Sequence, residues 1–148
     1  MKRFLAILMT AAMAGGLLVA FLAGPSSAAG ASCGGSANAP TANAGATLSG
    51  TGSGHCSGVA SVTVQICVQT AFHNPGGTTW TSQACNSQSP NPGQTASFGS
   101  GPWNCSAGHT YAVRTRMVAT GKNASGSTVA SHTEFGPSKS GTNRTCHN

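Results

Sequence analysis

Residues 59–85 read VASVTVQICVQTAFHNPGGTTWTSQAC, and this stretch decides the fold. Val62, Val64, Ile66 and Val68 recur at every second position, with Ser61, Thr63, Gln65, Cys67 and Gln69 in the gaps. Such alternation of β-branched and polar residues marks a strand with one face buried. His73-Asn74-Pro75-Gly76-Gly77 interrupts it, because proline fixes φ and glycine admits positive φ. Thr78-Thr79-Trp80-Thr81 then starts a second strand. The segment predicts a β-hairpin with Cys67 and Cys85 nearly opposite each other.

Working outward, residues 110–119 form the second strong strand pattern. Tyr111, Val113, Thr115 and Met117 share one face, and Ala112, Arg114, Arg116 and Val118 the other. After a turn at 121–126, residues 127–135 read as the last strand, which Pro137 ends. Between the two strong regions, 86–93 reads as a loop, 94–99 as a short strand and 101–108 as a turn region holding Trp103 and Cys105. Upstream, 46–56 is a poor strand or strand pair. Residues 30–45, rich in Gly, Ala, Ser and Asn, read as a flexible N-terminal arm tied down at Cys33. The polar tail 138–148 carries Cys146. Short strands between Gly/Pro punctuation predict an all-β sandwich or barrel.

The first residues belong to another category. Lys2-Arg3 precedes an apolar run over 4–22, Gly24-Pro25 breaks it, and Ser27-Ala28-Ala29 offers a small-residue site. This predicts a signal peptide over 1–29, with Ala31 as a second cleavage point, and a secreted domain over 46–148. No later stretch is apolar enough to span a membrane. After residue 29, Leu48 is the one Leu and Ile66 the one Ile, a thin core that calls for covalent support. Six cysteines, all beyond residue 29, supply it as three expected disulfides.

Charge narrows the chemistry. Beyond residue 29, five basic residues (Arg114, Arg116, Lys122, Lys139, Arg144) face the single acid Glu134, a formal balance of +4. A glycosidase pair needs two carboxylates, and a Ser-His-Asp triad needs an Asp that the chain lacks. The expectation is a protein that is not an enzyme and carries no cofactor. The histidines, His55, His73, His109, His132 and His147, show no H-x-H or H-x-x-x-H spacing, so no metal is expected. Trp80 and Tyr111 are expected to pack the core, as large aromatics commonly do. Trp103, between Pro102 and Asn104, is the aromatic expected to be exposed and to contact a partner. Arg114 and Arg116 project from one strand face, with Lys122 beyond them, and could grip an anionic partner. Five scattered cations are too few for a specific nucleic-acid footprint. Asn104, Asn123 and Asn143 open sequons, which matter only in a eukaryotic host.

Two segments carry a resemblance. Gly108-His109-Thr110-Tyr111-Ala112-Val113-Arg114-Thr115-Arg116 resembles the end of a fibronectin type III domain, where a Gly-containing turn leads into a Tyr-x-Val-Arg strand. Val62 to Val68 followed by Gly76-Gly77-Thr78-Thr79-Trp80 resembles that fold's C–C′ hairpin. The composition is also similar to that of small exported actinobacterial proteins. The resemblance implies an immunoglobulin/fibronectin-like antiparallel sandwich of about seven short strands. It also implies a disulfide map of Cys33–Cys56, Cys67–Cys85 and Cys105–Cys146. The function implied is a secreted, monomeric, adhesion-type module that binds a protein or an anionic cell-surface polymer. The alternatives are an exported hydrolase inhibitor or small toxin acting through a loop at 87–93 or 73–78, and a metal- or sugar-binding module.

Overall fold

Main-chain pairing, more than side-chain bulk, defines the strands of this molecule. The computed structural model describes residues 30–43, 47–74, 77–104 and 112–139. They form ten strands: β1 (Ser32–Ala37), β2 (Thr41–Asn43), β3 (Thr47–Ser49), β4 (Thr51–Ser57), β5 (Ser61–Asn74), β6 (Gly77–Gln88), β7 (Ala96–Gly99), β8 (Trp103–Asn104), β9 (Ala112–Lys122) and β10 (Thr128–Phe135). Among the described residues there is no helix. All strand pairings are antiparallel. The expected signal peptide, Cys105, Cys146, Tyr111 and His109 lie outside the described residues.

The expected hairpin forms one side of a four-stranded sheet ordered β10-β9-β5-β6, with β5 inside the sheet and β6 at its edge. Val62, Val64, Ile66 and Val68 turn inward and are buried, while Ser61 and Thr63 are exposed. β9 alternates in the same way, burying Val113, Thr115, Met117 and Ala119. Cys67 faces Cys85 in the β5–β6 register, and the two are bonded. The β9–β10 turn is built by Asn123. Its Oδ1 accepts the Ser125 and Ser127 amides at 3.1 and 2.9 Å. Gly126 follows with φ of 84°, a conformation that costs glycine no Cβ clash.

Two three-stranded sheets complete the fold, β1-β4-β7 and β2-β3-β8. They are traced by the same three runs of chain, each broken in the middle. The breaks fall at 38–40, at Gly50 and at 100–102. Hydrogen bonds carry the pairing across the breaks: Asn38 N donates to Thr51 O at 2.9 Å, Ser100 N to Gly50 O at 2.8 Å, and Gly50 N to Ser100 Oγ at 3.0 Å. These breaks turn an expected seven or so strands into ten.

Several expectations are corrected here. The segment 30–45 contains the paired strand β1, with Cys33 opposite and bonded to Cys56. Its Gly- and Ser-rich sequence hides the strand, because a backbone ladder needs no side-chain signal. The 86–93 loop begins later, since β6 runs to Gln88. The turn region at 101–108 begins with a short strand, β8, which pairs Trp103 with Leu48.

The sheets share their buried side chains. Cys56 of β4, Val62, Val64 and Ile66 of β5, Ala96 of β7, and Met117 and Ala119 of β9 form one cluster. Leu48, Val68 and Val113 form a second, with Trp103 packed against it. Bulk is unequally supplied. A Cβ on Gly54 would lie 2.8 Å from Val64 Cγ1, and one on Gly35 would collide with Met117 Cε and the Ser53 carbonyl oxygen. The β1-β4-β7 sheet is thus hollow where the four-stranded sheet is full.

Candidate functional site

The outward face of the four-stranded sheet gathers what chemistry the chain has. In register, Cys85, Cys67, Arg116 and Phe135 form one row across the four strands. Ser82, Gln69 and Arg114 form the next, and Trp80, Ala71 and Ala112 the third. From the middle row the Arg114 Cζ lies 4.1 Å from the Trp80 ring centroid and 3.9 Å from that of Phe135. The guanidinium is held between an indole and a phenyl ring, an arrangement that cation–π attraction favours. Its Nε donates to Gln69 Oε1 at 2.9 Å, and Gln69 Nε2 donates to Ser82 Oγ at 3.2 Å. The layer covers what lies beneath it: outward-facing Cys67, Gln69 and Ala71 are only 1, 6 and 0 % exposed. Burial, and then the neighbouring Arg116 charge, pull the Arg114 pKa below the ordinary arginine value. Arginine remains a cation there all the same.

The two tryptophans exchange their expected roles. Trp80 lies on the outward face because β6 carries an extra residue. Ala84 pairs with Val68 and Ser82 with Gln69, so Gln83 stands between them as a bulge. An uninterrupted ladder counted from Cys85 would turn Trp80 inward, since one residue of slip reverses every facing. Gln83 is anchored by donating from Nε2 to the buried Thr70 Oγ1 at 2.8 Å. Trp103 is half-buried against Leu48, Val68 and Val113, so the aromatic expected to be exposed closes the second core cluster.

Of the other candidates, Arg116 follows two positions after Arg114 on the same face. Lys122 sits at the far end of β9, roughly 20 Å from Arg116 at strand rise, so it does not join them. Lys139 lies beside Arg114 in the chain path, through a paired backbone bridge to Val113. Glu134 pairs in register with Met117, whose side chain is in the core, so it faces away from the arginines. There it meets His132, with Nε2 3.4 Å from Oε2. Sequence reasoning missed Phe135 and Gln69. Phe135 was within reach, because it ends a strand pattern next to Gly136-Pro137, but the register sets it opposite Arg116, and its contact with Arg114 is a diagonal one that only the side-chain geometry gives. Among the described residues no three His, Cys, Asp or Glu side chains converge as metal ligands, and no helix is long and apolar enough to cross a membrane.

Elsewhere a concavity of about 440 Å³ is lined by Ser36, Asn38, Thr51, Ser53, Ser97 and Phe98. Its polar groups satisfy one another: Ser36 and Ser53 hydroxyls lie 3.0 Å apart, and Asn38 Nδ2 donates to Thr51 Oγ1 at 3.2 Å. It carries no charge and no titratable group. Compared with protein-family models, with curated proteins and with solved structures, the chain finds no match.

Proposed function

We propose that the chain is a secreted, non-enzymatic binding module, an immunoglobulin/fibronectin-like β-sandwich that holds an anionic polymer of a cell surface. Support for the sandwich comes from the strand orders β1-β4-β7 and β10-β9-β5-β6 and from the buried cluster to which both contribute. Support for export comes from two disulfides, which suit an oxidising compartment. One observation carries the binding reading. The outward face of the four-stranded sheet presents Arg114 and Arg116 beside exposed aromatic surface, and the one acid of the chain faces elsewhere. Such a face attracts polyanions over a Debye length and holds them by contact at short range.

The test is retention of the purified protein on envelope preparations from the organism that makes it. Binding at low ionic strength, released as salt rises through a few hundred millimolar, is the expected result. Failure to bind, or binding indifferent to salt, would remove this reading.

A further inference from the structure

The Arg114 guanidinium is more than a positive charge on a surface, because three contacts hold it in place. Its Cζ lies over both the Trp80 and the Phe135 ring, and Gln69 Oε1 accepts the hydrogen bond from Nε. Among the described residues the two terminal nitrogens have no hydrogen-bond partner. Toward the described residues, therefore, the terminal N–H groups of a cation held beside two rings stay available. A side chain already held in its bound geometry loses little rotamer entropy on engagement.

The clamp also selects shape. A carboxylate is flat and presents two coplanar oxygens to the fork. A phosphate is tetrahedral. The fork meets two of its oxygens, and the others find no donor on the neighbouring ring faces. Arg116, two residues on and roughly 7 Å away along the strand, supplies a second cation on the same face. Phe135, 44 % exposed, adds apolar surface between strand edge and solvent. A polymer with carboxylates on successive ring units matches this combination of spaced cations and flat apolar surface.

We propose that this face is a docking site for a carboxylate-bearing polysaccharide, with Arg114 as the oriented fork and Arg116 as the second contact. This rests on the reading of the protein as a polyanion-binding module and narrows it to one class of polymer.

The experiment measures binding of the intact protein to immobilised polygalacturonate, to its methyl-esterified form and to polyphosphate, with thermal unfolding in parallel. Polygalacturonate should bind and the esterified polymer should not. Arg116→Ala, and separately Arg114→Lys, should each weaken binding about ten-fold, the loss of one charge-assisted contact. Arg114→Lys keeps the charge but loses the planar fork, so its effect separates shape from electrostatics. Lys122→Ala removes the same charge far from the face and should leave binding unchanged. Three results would overturn the proposal: equal weakening by Lys122→Ala, full binding by Arg114→Lys with altered stability alone, or preference for polyphosphate. Retention on the cell envelope together with any of these would leave the broader function standing. Loss of envelope retention would remove both.

Discussion

The β1-β4-β7 sheet and the four-stranded sheet meet in one core yet are made of opposite materials. Inward, the first offers Gly35, Gly52 and Gly54, and the second offers Val62, Val64, Ile66 and Met117. Outward, the first shows hydroxyls bonded to one another, such as Ser32 to Ser57 at 3.1 Å and Ser36 to Ser53 at 3.0 Å. The second shows a cation clamped by aromatic rings. One sheet is a thin backing held by its main chain, and the other carries both bulk and recognition chemistry. With so few large apolar residues, placing most of those in the shared cluster on one sheet, with Phe98 of β7 as the exception, and letting glycine admit them from the other keeps the interior close-packed.

The disulfides break this comparison most sharply. Each joins register partners within one sheet, with sequence separations of 23 and 18. The chain-entropy terms of such similar loops differ by only about 0.2 kcal/mol. What differs is what else holds the strands. β5 and β6 keep an eleven-pair ladder with Gln and aromatic contacts over it, whereas β1 has six paired residues, none larger than Cys33. Cys56 also belongs to the core cluster. Replacing Cys33 and Cys56 by Ala should cost about 4 kcal/mol, near the upper part of the usual range. Replacing Cys67 and Cys85 should cost about 1 to 2 kcal/mol less. Urea unfolding of both double variants measures the difference. An equal or reversed order would mean that the backing sheet does not depend on its staple.

The next effect tests the glycine half of the contrast. In Gly35→Val the new side chain would meet Met117 Cε and the Ser53 carbonyl, the latter being backbone that cannot rotate away. The expected loss is about 3 kcal/mol, at the severe end for overpacking. Gly99→Ala on the same sheet is the control, since its Cβ would find nothing closer than 3.4 Å. That change should move stability by less than about 0.5 kcal/mol.

This asymmetry explains what the sequence could reveal. β5 and β9 were legible because their inward positions carry Val, Ile and Met at period two, and Arg114 and Arg116 followed as their outward neighbours. β1 was not, because Gly34, Gly35 and Ser36 give no pattern; their role appears only when Met117 and His55 are seen opposite. The Cys33–Cys56 and Cys67–Cys85 pairs implied by the sandwich resemblance are present; Cys105 and Cys146 lie outside the described residues. The site was half legible. Counting by twos from Cys85 places Trp80 inward, and only the Gln83 bulge, which no local signal announces, brings it onto Arg114. Lys122 shares the facing of Arg114 but not its neighbourhood, a distance that strand length alone decides.

A smaller effect sharpens the outward half. Arg114→Ala should destabilise the fold by about 1 to 2 kcal/mol, through two lost cation–π contacts and a Gln69 oxygen left without its donor beneath the layer. Quenching or shift of Trp80 fluorescence should accompany it, because the indole loses the charge stacked on it. On the other sheet, Ser36→Ala removes one exposed hydroxyl pair and should be close to neutral. If the two changes cost the same, the aromatic clamp does not stabilise the sheet that carries it.

The smallest effect has the opposite sign. Thr115 lies on the inward side of β9, fully buried, and its Oγ1 is the one buried side-chain polar atom among the described residues without a hydrogen-bond partner. It faces Gly50, at the bend where the pairing passes from β3 to β4, and a Cβ there would stand 2.6 Å from that oxygen. Burying an unpaired hydroxyl costs about 1 to 3 kcal/mol, and a methyl of similar shape avoids that cost. Closeness to the Gly50 backbone opposes the gain, because a methyl is slightly larger than a hydroxyl. The desolvation term is the larger, so Thr115→Val should raise stability by about 1 kcal/mol and the midpoint by roughly 3 to 5 °C. Thr115→Ser keeps the unpaired hydroxyl and loses a buried methyl, so it should lower stability by about 1 kcal/mol. Calorimetry on the two variants separates hydroxyl from methyl at one position. A destabilised Thr115→Val would show that the bend at Gly50 has no room to spare, and that close approach of the two sheets outweighs the unsatisfied oxygen between them.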